Sequence, residues 1–417
     1  PPLALQAHLE LGAIPYIDRA ILAVLGNEDF LPGAMGQGET ALADYAARML
    51  DGSHALGVNC VTPGAAAAFK ENARSFGLDD VVPRWGVSSR AVITALQRAV
   101  QRIGIAHPLH LHCNNLGVPG NAATALATIE AAGDLPLHLA HLQFYAYGTE
   151  GPRGFSSAAP QLAEAVNAHR NITTDVGQVM FGQTVTVSSD VMRQFNARGG
   201  AHPRKWAMIE GEGNGFGVVP FRYRRRSFAN AVQWAAGLEL FLLITDPWRV
   251  FFTTDHPNGG PFTTYPDLFA LLMDRDRRAE WIASVPAEAI ALTTLPSLVR
   301  EYSWTEIAIM TRAAPARLFG LADRGQLGPG ARADIAVYRP QDDKAAMFRD
   351  AEMVFKDGEL IARAGTMQPP RGGRVLHVRP GYDRAIDRHL AKFYDETYGL
   401  SHDAFDVDPR VLPRAGA

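Results

Sequence analysis

The stretch HPLHLHCNNLGVPGN, which runs from His107 to Asn121, decides how this chain is interpreted. Its first half alternates apolar and imidazole side chains. His110 and His112 therefore project from one face of a short strand, and Leu109 and Leu111 project from the other. A cysteine and two asparagines follow at once. The stretch predicts a buried strand with potential metal ligands and hydrogen-bonding groups at its carboxyl end.

Similar short apolar segments recur along the chain, with helical periods between them. The other strands are predicted at Leu56–Val61, Leu137–Leu142, Ile172–Val176 and Val250–Thr254. Helices are predicted at Glu39–Leu50, Ser89–Gly104, Asn121–Ala132 and Ser157–His169. This alternation over about 330 residues is typical of parallel βα units. We expect an α/β fold of the (β/α)8 barrel type, with a doubly wound sheet as the alternative, and reactive residues at the carboxyl ends of strands.

The pattern changes after about Leu321, where short strand-like segments alternate with Gly-rich and Asp-Gly turns. We interpret residues 1–320 as the barrel and residues 321–370 as a β-sandwich segment. Residues 371–417 are richer in Arg, Asp and Pro, and we expect this C-terminal extension to wrap the surface or a partner.

Composition excludes several classes of function. A net charge of −3 with no polybasic run argues against binding to nucleic acid. No uninterrupted apolar run reaches the length of a membrane span. Only Cys60 and Cys113 are cysteines, which predicts a chain without a disulfide framework in a reducing cytoplasm.

Four residues follow strands in an order that suggests a metal site: Lys70, His112, His141 and Asp255. Each alone has an ordinary explanation as a solvated lysine, a hydrogen-bonded histidine or a turn aspartate. Together, imidazole and carboxylate ligands suit zinc. Ligands on different strands meet only in a closed or convergent fold.

Long motifs then identify a family resemblance. The order of these four residues, together with PARLFGLADRGQLGPGARADIAVY (315–338), resembles the amidohydrolase superfamily. HPLHLHCNNLGVPGN, DVGQVMFGQTVT (175–186) and FFTTDHPNGGPFTTYP (251–266) resemble a narrower group. That group comprises the first subunit of formylmethanofuran dehydrogenase and the alpha subunit of the bacterial formyltransferase/hydrolase complex. The resemblance covers roughly residues 21–354.

The resemblance implies a (β/α)8 barrel with a small β-sandwich and a site for two Zn²⁺ ions. Carbamylated Lys70 would bridge the ions. His112 and His141 would bind one of them, and Asp255 would bind the other and transfer protons. The implied reaction is hydrolysis of an N-formyl cofactor of the methanofuran or methylofuran type to formate and free amine. The implied partners are the other subunits of such a complex.

One departure from the family is the lack of a His-x-His pair before Lys70. We therefore expect the chain to be truncated at its N-terminus, with an incomplete barrel. Two alternatives remain: a methanogen-type subunit that runs the same chemistry toward formyl transfer, and a non-catalytic scaffold that binds the cofactor. Asn114, Asn115 and Gln178 are predicted either to hydrogen-bond the substrate or to cap their own loops.

Overall fold

The structure is a computed structural model that describes residues 3–71, 73, 76–188, 196–202, 209–210, 217–369 and 373–412. Its strands, in chain order, are β1 (Leu22–Val24), β2 (Gly57–Val61), β3 (Leu109–His112), β4 (Leu137–Leu139), β5 (Tyr147–Gly148), β6 (Ser156–Ser157), β7 (Ile172–Asp175), β8 (Gly182–Ser188), β9 (Ile209–Glu210), β10 (Gly217–Tyr223), β11 (Val250–Phe251), β12 (Ile335–Val337), β13 (Met353–Lys356), β14 (Glu359–Arg363) and β15 (Thr366–Met367).

The α-helices lie before, between and after these strands. In chain order they are α1 (Ala4–Leu11), α2 (Leu31–Gly36), α3 (Glu39–Ser53), α4 (Ala65–Lys70), α5 (Ser89–Ile103), α6 (Ala122–Ala132), α7 (Ala159–Ala168), α8 (Phe228–Leu243), α9 (Tyr265–Met273), α10 (Arg275–Ala283), α11 (Ala287–Ile290), α12 (Trp304–Ala308), α13 (Ala314–Leu318), α14 (Lys344–Arg349) and α15 (Ala385–Tyr398).

The central sheet consists of parallel strands in the order β1-β2-β3-β4-β7-β11. This spatial order follows the chain order without reversal. A doubly wound sheet contains a switch point at which the order reverses, so the barrel topology explains the sheet and the doubly wound alternative does not. The predicted α/β class with barrel topology is confirmed, and all the strand carboxyl ends lie at one edge.

Local sequence explains why strands and helices pack as they do. Leu109 and Leu111 are fully buried against the surrounding helices, whereas the histidines between and after them face the inside of the curved sheet. Helix α5 begins where the side chain of Ser88 accepts a hydrogen bond from the N–H of Ala91. It ends at Gly104, whose φ of +74° is left-handed. Alternation and capping thus build one βα unit around the opening stretch.

Two predicted strands end earlier than expected. The predicted strand Leu137–Leu142 stops at Leu139, and the chain turns at His141 into a 3-10 helix over Leu142–Tyr145. The predicted strand Val250–Thr254 stops at Phe251. In both cases the last apolar or threonine residues belong to the loop that carries a candidate ligand, so the predicted bounds were wrong. Strand β1 was not predicted.

Two smaller sheets accompany the central one. Strands β8, β10 and β9 form an antiparallel sheet after β7. The hydroxyl of Thr184 donates to the carbonyl of Pro257, and the hydroxyl of Tyr223 donates to the carbonyl of Asn258 over 3.0 Å. This sheet therefore supports the loop that follows Asp255.

The second small sheet is antiparallel, in the order β12-β13-β14-β15, and it lies within the segment predicted as a β-sandwich. The C-terminal extension packs on α3, where Arg48 binds the carboxylates of Asp387 and Asp406. A small β domain is thus present, and the boundaries at residues 320 and 370 stay predictions.

Candidate metal centre

Three of the predicted ligands lie together at the carboxyl edge of the central sheet. We call His112, His141 and Asp255 the rim cluster. The rings of His112 and His141 have centroids 4.6 Å apart at an angle of 65°. A Cβ atom built on Gly177 would overlap the Cβ of His141 and lie 3.5 Å from the Cβ of Asp255. The side chains of His141 and Asp255 therefore leave the backbone on either side of the same glycine.

His112 is oriented by a neighbouring strand. Its Nδ1 lies 3.1 Å from Oδ1 of Asn59 on β2. An amide oxygen only accepts hydrogen bonds, so this contact places the proton on Nδ1 and leaves the lone pair on Nε2. Burial, followed by the coulombic effects of His141 and His110, lowers the pKa of His112 well below its usual value. His112 is therefore a neutral imidazole, the form that binds metals.

The backbone at the other two rim residues is left-handed. His141 has φ +34° and Asp255 has φ +49°, a region that residues other than glycine rarely adopt. Such conformations cost free energy and persist where the surrounding structure enforces them, most often at functional sites. Gly177, itself at φ +67°, leaves the space that this arrangement needs.

The carboxylate of Asp175 lies next to the rim cluster, and both of its oxygens have hydrogen-bond partners. Its Oδ1 accepts the backbone N–H of His141 over 3.0 Å and the hydroxyl of Thr253 over 2.9 Å. Its Oδ2 lies 3.3 Å from Nε2 of His138. Burial raises the pKa of Asp175, but the hydrogen bond from His138 and the nearby imidazoles outweigh burial, so the net pKa is lowered. The carboxylate stays ionised.

A second set of histidines lies deeper in the sheet. We call His107, His110 and His138 the inner cluster. Ring centroids lie 5.6 Å apart for His107 and His110, 5.7 Å for His107 and His138, and 4.9 Å for His110 and His138. Burial lowers the pKa of His110 to about 3. Candidate ligand atoms of His110, His138 and Asp175 lie within 4.8 Å of one another.

The remaining predicted site residues occupy different surroundings. Lys70 is the last residue of α4, and its side chain lies outside the described residues. Asn114 is buried and exchanges hydrogen bonds with Ser89 at the start of α5. The amide of Gln178 donates to the carbonyls of Val179 and Trp234, and its Oε1 is buried without a partner among the described residues.

Asn115 lies on the loop after the strand that carries His112. Its Nδ2 donates to the hydroxyl of Thr124 over 2.8 Å, whereas its buried Oδ1 has no partner in the part of the chain that the structure describes. Asn114 thus supports its own loop, whereas Asn115 and Gln178 each keep a side-chain acceptor without a partner among the described residues. The assignment of all three to substrate binding stays a prediction.

The rim residues fit a divalent metal of the zinc type. His112 is neutral with its lone pair on Nε2, and the buried Nδ1 of His141 has no partner among the described residues. A buried polar atom without a partner is costly unless something binds it. Two imidazoles and one carboxylate are ligands that zinc prefers. The inner cluster fits less well, because Asp175 and His138 already satisfy each other.

Sequence reasoning missed three residues that shape the site: Asn59, Asp175 and Thr253. Asp175 carries a readable signal, since it is the charged residue at the end of a strand and lies on the same face as Thr173. Asn59 and Thr253 carry weaker signals, because an asparagine within a strand and a threonine after one are both common. Their roles appear only once the strands are adjacent.

These features are those of a metal-dependent hydrolase built on a barrel, and comparison of sequences identifies the family. Residues 5–362 match the amidohydrolase family, so the chain belongs to it. The prediction of a hydrolase acting on a C–N bond is confirmed at the level of this family.

Particular relatives sharpen the assignment. The chain is 46% identical over 420 residues to FhcA of the formyltransferase/hydrolase complex of Methylorubrum extorquens, covering 99% of this chain and 77% of that protein. It is 35% identical over 400 residues to the protein FwdA of Methanocaldococcus jannaschii, covering 91% and 70%. The narrower resemblance predicted from the motifs is confirmed, and the chain belongs with these subunits.

A crystal structure supports the same relation. The fold matches a chain of the FhcABCD formyltransferase/hydrolase complex from Methylorubrum extorquens, solved with methylofuran. The TM-score is 0.93 at 47% identity, over all of this chain and 77% of that one. Among the described residues, no helix has both the length and the apolar character needed to cross a membrane.

Proposed function

We propose that this chain hydrolyses the N-formyl group of a methanofuran- or methylofuran-type cofactor, releasing formate and the free amine. The observation that carries the proposal is the rim cluster: two imidazoles and one carboxylate converge at the carboxyl edge of a barrel sheet. The similarity to FhcA, whose complex was solved with methylofuran, supports the choice of substrate.

The same comparisons support a proposal about partners and location. The similar protein from Methylorubrum extorquens belongs to a complex named FhcABCD. We propose that this chain likewise acts beside the other subunits of a formyltransferase/hydrolase complex, in the cytoplasm. Truncation at the N-terminus stays a prediction.

The chemistry of a formamide explains the need for such a site. Its carbonyl carbon is a poor electrophile, and its amine is a poor leaving group. Hydrolysis must form a C–O bond with water, break the C–N bond and place a proton on nitrogen. Zinc ions bound at the rim cluster and Lys70 would lower the pKa of a water to about 7 and polarise the formyl oxygen.

The protein supplies positioning and proton transfer. His112 and His141 would bind the metal through ring nitrogens, and Asn59 fixes the tautomer of His112. Lys70, if carbamylated, offers an anionic bridge that an ammonium group cannot provide. Asp255 is the general base that accepts the proton of the attacking water and the general acid that returns it to the leaving nitrogen.

The first test is to count zinc ions per chain by elemental analysis of the complete protein with its partner subunits. We expect about two per chain, with a sharp decrease in Lys70→Ala. Lys392→Ala, a change at an exposed lysine of α15, is the matched control and should keep its zinc. Formate release from a formylated methylofuran is then measured on the same samples.

The outcomes separate the candidate functions. Zinc together with formate release supports the hydrolase. Zinc without formate release, but with formyl transfer in the presence of a redox partner, would favour the methanogen-type subunit that the likeness to FwdA suggests. An intact complex without zinc would identify a scaffold and end the proposal.

A further inference from the structure

One buried carboxylate connects the backbone of two rim residues. Oδ1 of Asp175, at the end of β7, accepts the N–H of His141 and the hydroxyl of Thr253. The same Thr253 Oγ1 accepts the backbone N–H of Asp255 over 3.1 Å. A single chain of three hydrogen bonds therefore runs from His141 through Asp175 and Thr253 to Asp255.

The two residues at the ends of this chain have the backbone conformations that most need support. His141 and Asp255 are both left-handed, at φ +34° and φ +49°. In each of them the supported atom is the amide nitrogen, which lies on the φ bond. A hydrogen bond at that atom fixes the plane of the peptide that precedes the residue, and it therefore fixes the position at which the chain enters the left-handed turn.

We propose that Asp175 and Thr253 are positioning residues that set the spacing between the side chains of His141 and Asp255. The consequence for metal binding rests on the proposed function. In that setting, loss of the Thr253 hydroxyl removes the hydrogen bond at the amide of Asp255, and the carboxylate is held less firmly at its distance from the imidazoles. Neither positioning residue needs to touch the substrate.

A different interpretation treats Asp175 as a ligand of its own metal, with His110 and His138. The hydrogen bonds argue against it. Both oxygens of Asp175 have partners, and both ring nitrogens of His138 are engaged, Nδ1 with the hydroxyl of Thr173 at 2.9 Å and Nε2 with Asp175. A metal at this position would have to displace the bonds that hold His141 and Thr253.

The test compares two substitutions at one position. Thr253→Val keeps the branched shape and removes the hydroxyl, whereas Thr253→Ser keeps the hydroxyl and removes the methyl group. Thr128→Val is the matched control, because the hydroxyl of the buried Thr128 likewise donates a hydrogen bond, here to the carbonyl of Thr124 within α6 and away from the rim cluster. All variants are made in the complete protein with its partner subunits.

The first readout is affinity for Co²⁺ as a metal probe, followed by its visible absorption, which reports ligand geometry. We expect Thr253→Val to bind Co²⁺ about 10- to 100-fold more weakly, with a changed spectrum, because substitution of groups that orient metal ligands has effects of that size. Thr253→Ser and Thr128→Val should match the unmodified chain. Equal binding by Thr253→Val, or equal loss in Thr253→Ser, would overturn the proposal.

A second readout does not depend on metal. Hydrogen exchange followed by mass spectrometry measures protection of the peptides that contain His141 and Asp255. Thr253→Val should exchange faster at the peptide containing Asp255, with or without metal. If the unmodified chain binds no divalent metal, the proposed function fails and exchange still tests the positioning role. Unchanged protection in Thr253→Val refutes that role by itself.

Discussion

The rim cluster and the inner cluster each take one histidine from β3 and one from β4 or the turn after it, yet the hydrogen bonds of these histidines differ. His110 and His112 are two residues apart on β3, and His138 and His141 are three apart around the end of β4. In the inner cluster, His138 is satisfied by Thr173 and Asp175. In the rim cluster, His112 keeps a lone pair and His141 keeps an unpartnered nitrogen among the described residues.

The position of a histidine along a barrel strand therefore does not decide its role. Hydrogen bonds engage both ring nitrogens of His138, whereas His112 and His141 keep a ring nitrogen for a ligand. His107 and His110 of the inner cluster also have buried ring nitrogens without a partner among the described residues, so the two clusters differ in the engagement of His138 with Asp175. Four substitutions, taken in order of decreasing expected effect, probe the rim cluster, the inner cluster and a carboxylate elsewhere in the chain.

Asp255 offers the most direct test of the rim cluster. Asp255→Asn keeps the shape of the side chain and removes the base, so formate release should fall by about 10²- to 10⁴-fold while most of the metal remains bound. Asp342→Asn, at an exposed aspartate, is the control. Activity and zinc content are measured on the same preparations. Hydrolysis near the unmodified rate in Asp255→Asn would rule out its assignment as the proton-transfer group.

Crowding offers a second way to disturb the rim cluster alone. In Gly177→Ala the new Cβ would overlap the Cβ of His141, and it would lie 2.9 Å from the Cα. Gly86→Ala has a similar φ of +70° and nothing within 4 Å, so it measures the backbone cost without crowding. We expect Gly177→Ala to lower the free energy of unfolding by about 1–3 kcal/mol more than the control and to reduce bound metal. Denaturant titration checks the difference; equal losses would show that the site tolerates the methyl group.

The inner cluster is tested by a matched pair of substitutions. His138→Leu leaves the ionised Asp175 without one hydrogen bond, whereas His110 has a buried Nδ1 with no partner among the described residues. His138→Leu should therefore cost about 1–3 kcal/mol of unfolding free energy more than His110→Leu. Similar costs for the two variants would mean that satisfaction by hydrogen bonds does not distinguish members of the inner cluster.

The weakest effect concerns a buried carboxylate held by cations instead of neutral groups. Burial raises the pKa of Asp18, but the N–H of Arg374 and the side chains of Arg324 and Lys356 lower it to about 2. A carboxylate with a depressed folded-state pKa stabilises the fold above its unfolded pKa near 3.8, and that stabilisation is lost as pH falls through about 2. Asp18→Asn should cost roughly 2 kcal/mol at neutral pH. The difference from the unmodified chain should vanish near pH 2 in denaturant titrations; a gap that persists there would exclude the ionic explanation.

Much of this architecture could be predicted from residues alone. Alternation in LHLH fixed the faces of β3, and the capping serine and terminal glycine fixed the bounds of α5. His112, His141 and Asp255 follow strands whose carboxyl ends share one edge, so their convergence follows from parallel topology. These features depend on patterns within a few residues and on the rule that the carboxyl ends of parallel strands share one edge.

The rest depends on contacts between segments distant in sequence. The bond from His112 to Asn59 spans 53 residues, and that from Thr253 to Asp175 spans 78. No local pattern marks either partner. The early ends of β4 and β11 likewise accompany left-handed turns at His141 and Asp255. Neither residue is a glycine, so the sequence gives no local signal for these turns. Tertiary bonds impose those turns against local preference.

The attachment of the C-terminal extension to α3 bears on synthesis at the ribosome. The Arg48 guanidinium, with only 6% of its side chain exposed, reaches its partners Asp387 and Asp406 over 339 and 358 residues. At 5–20 residues per second, roughly 20–70 s separate the emergence of Arg48 from that of Asp387. Throughout that interval the helix carries a cation that has no carboxylate from the extension. A segment made 339 residues later therefore completes α3, and termination before Asp387 would leave Arg48 without either carboxylate.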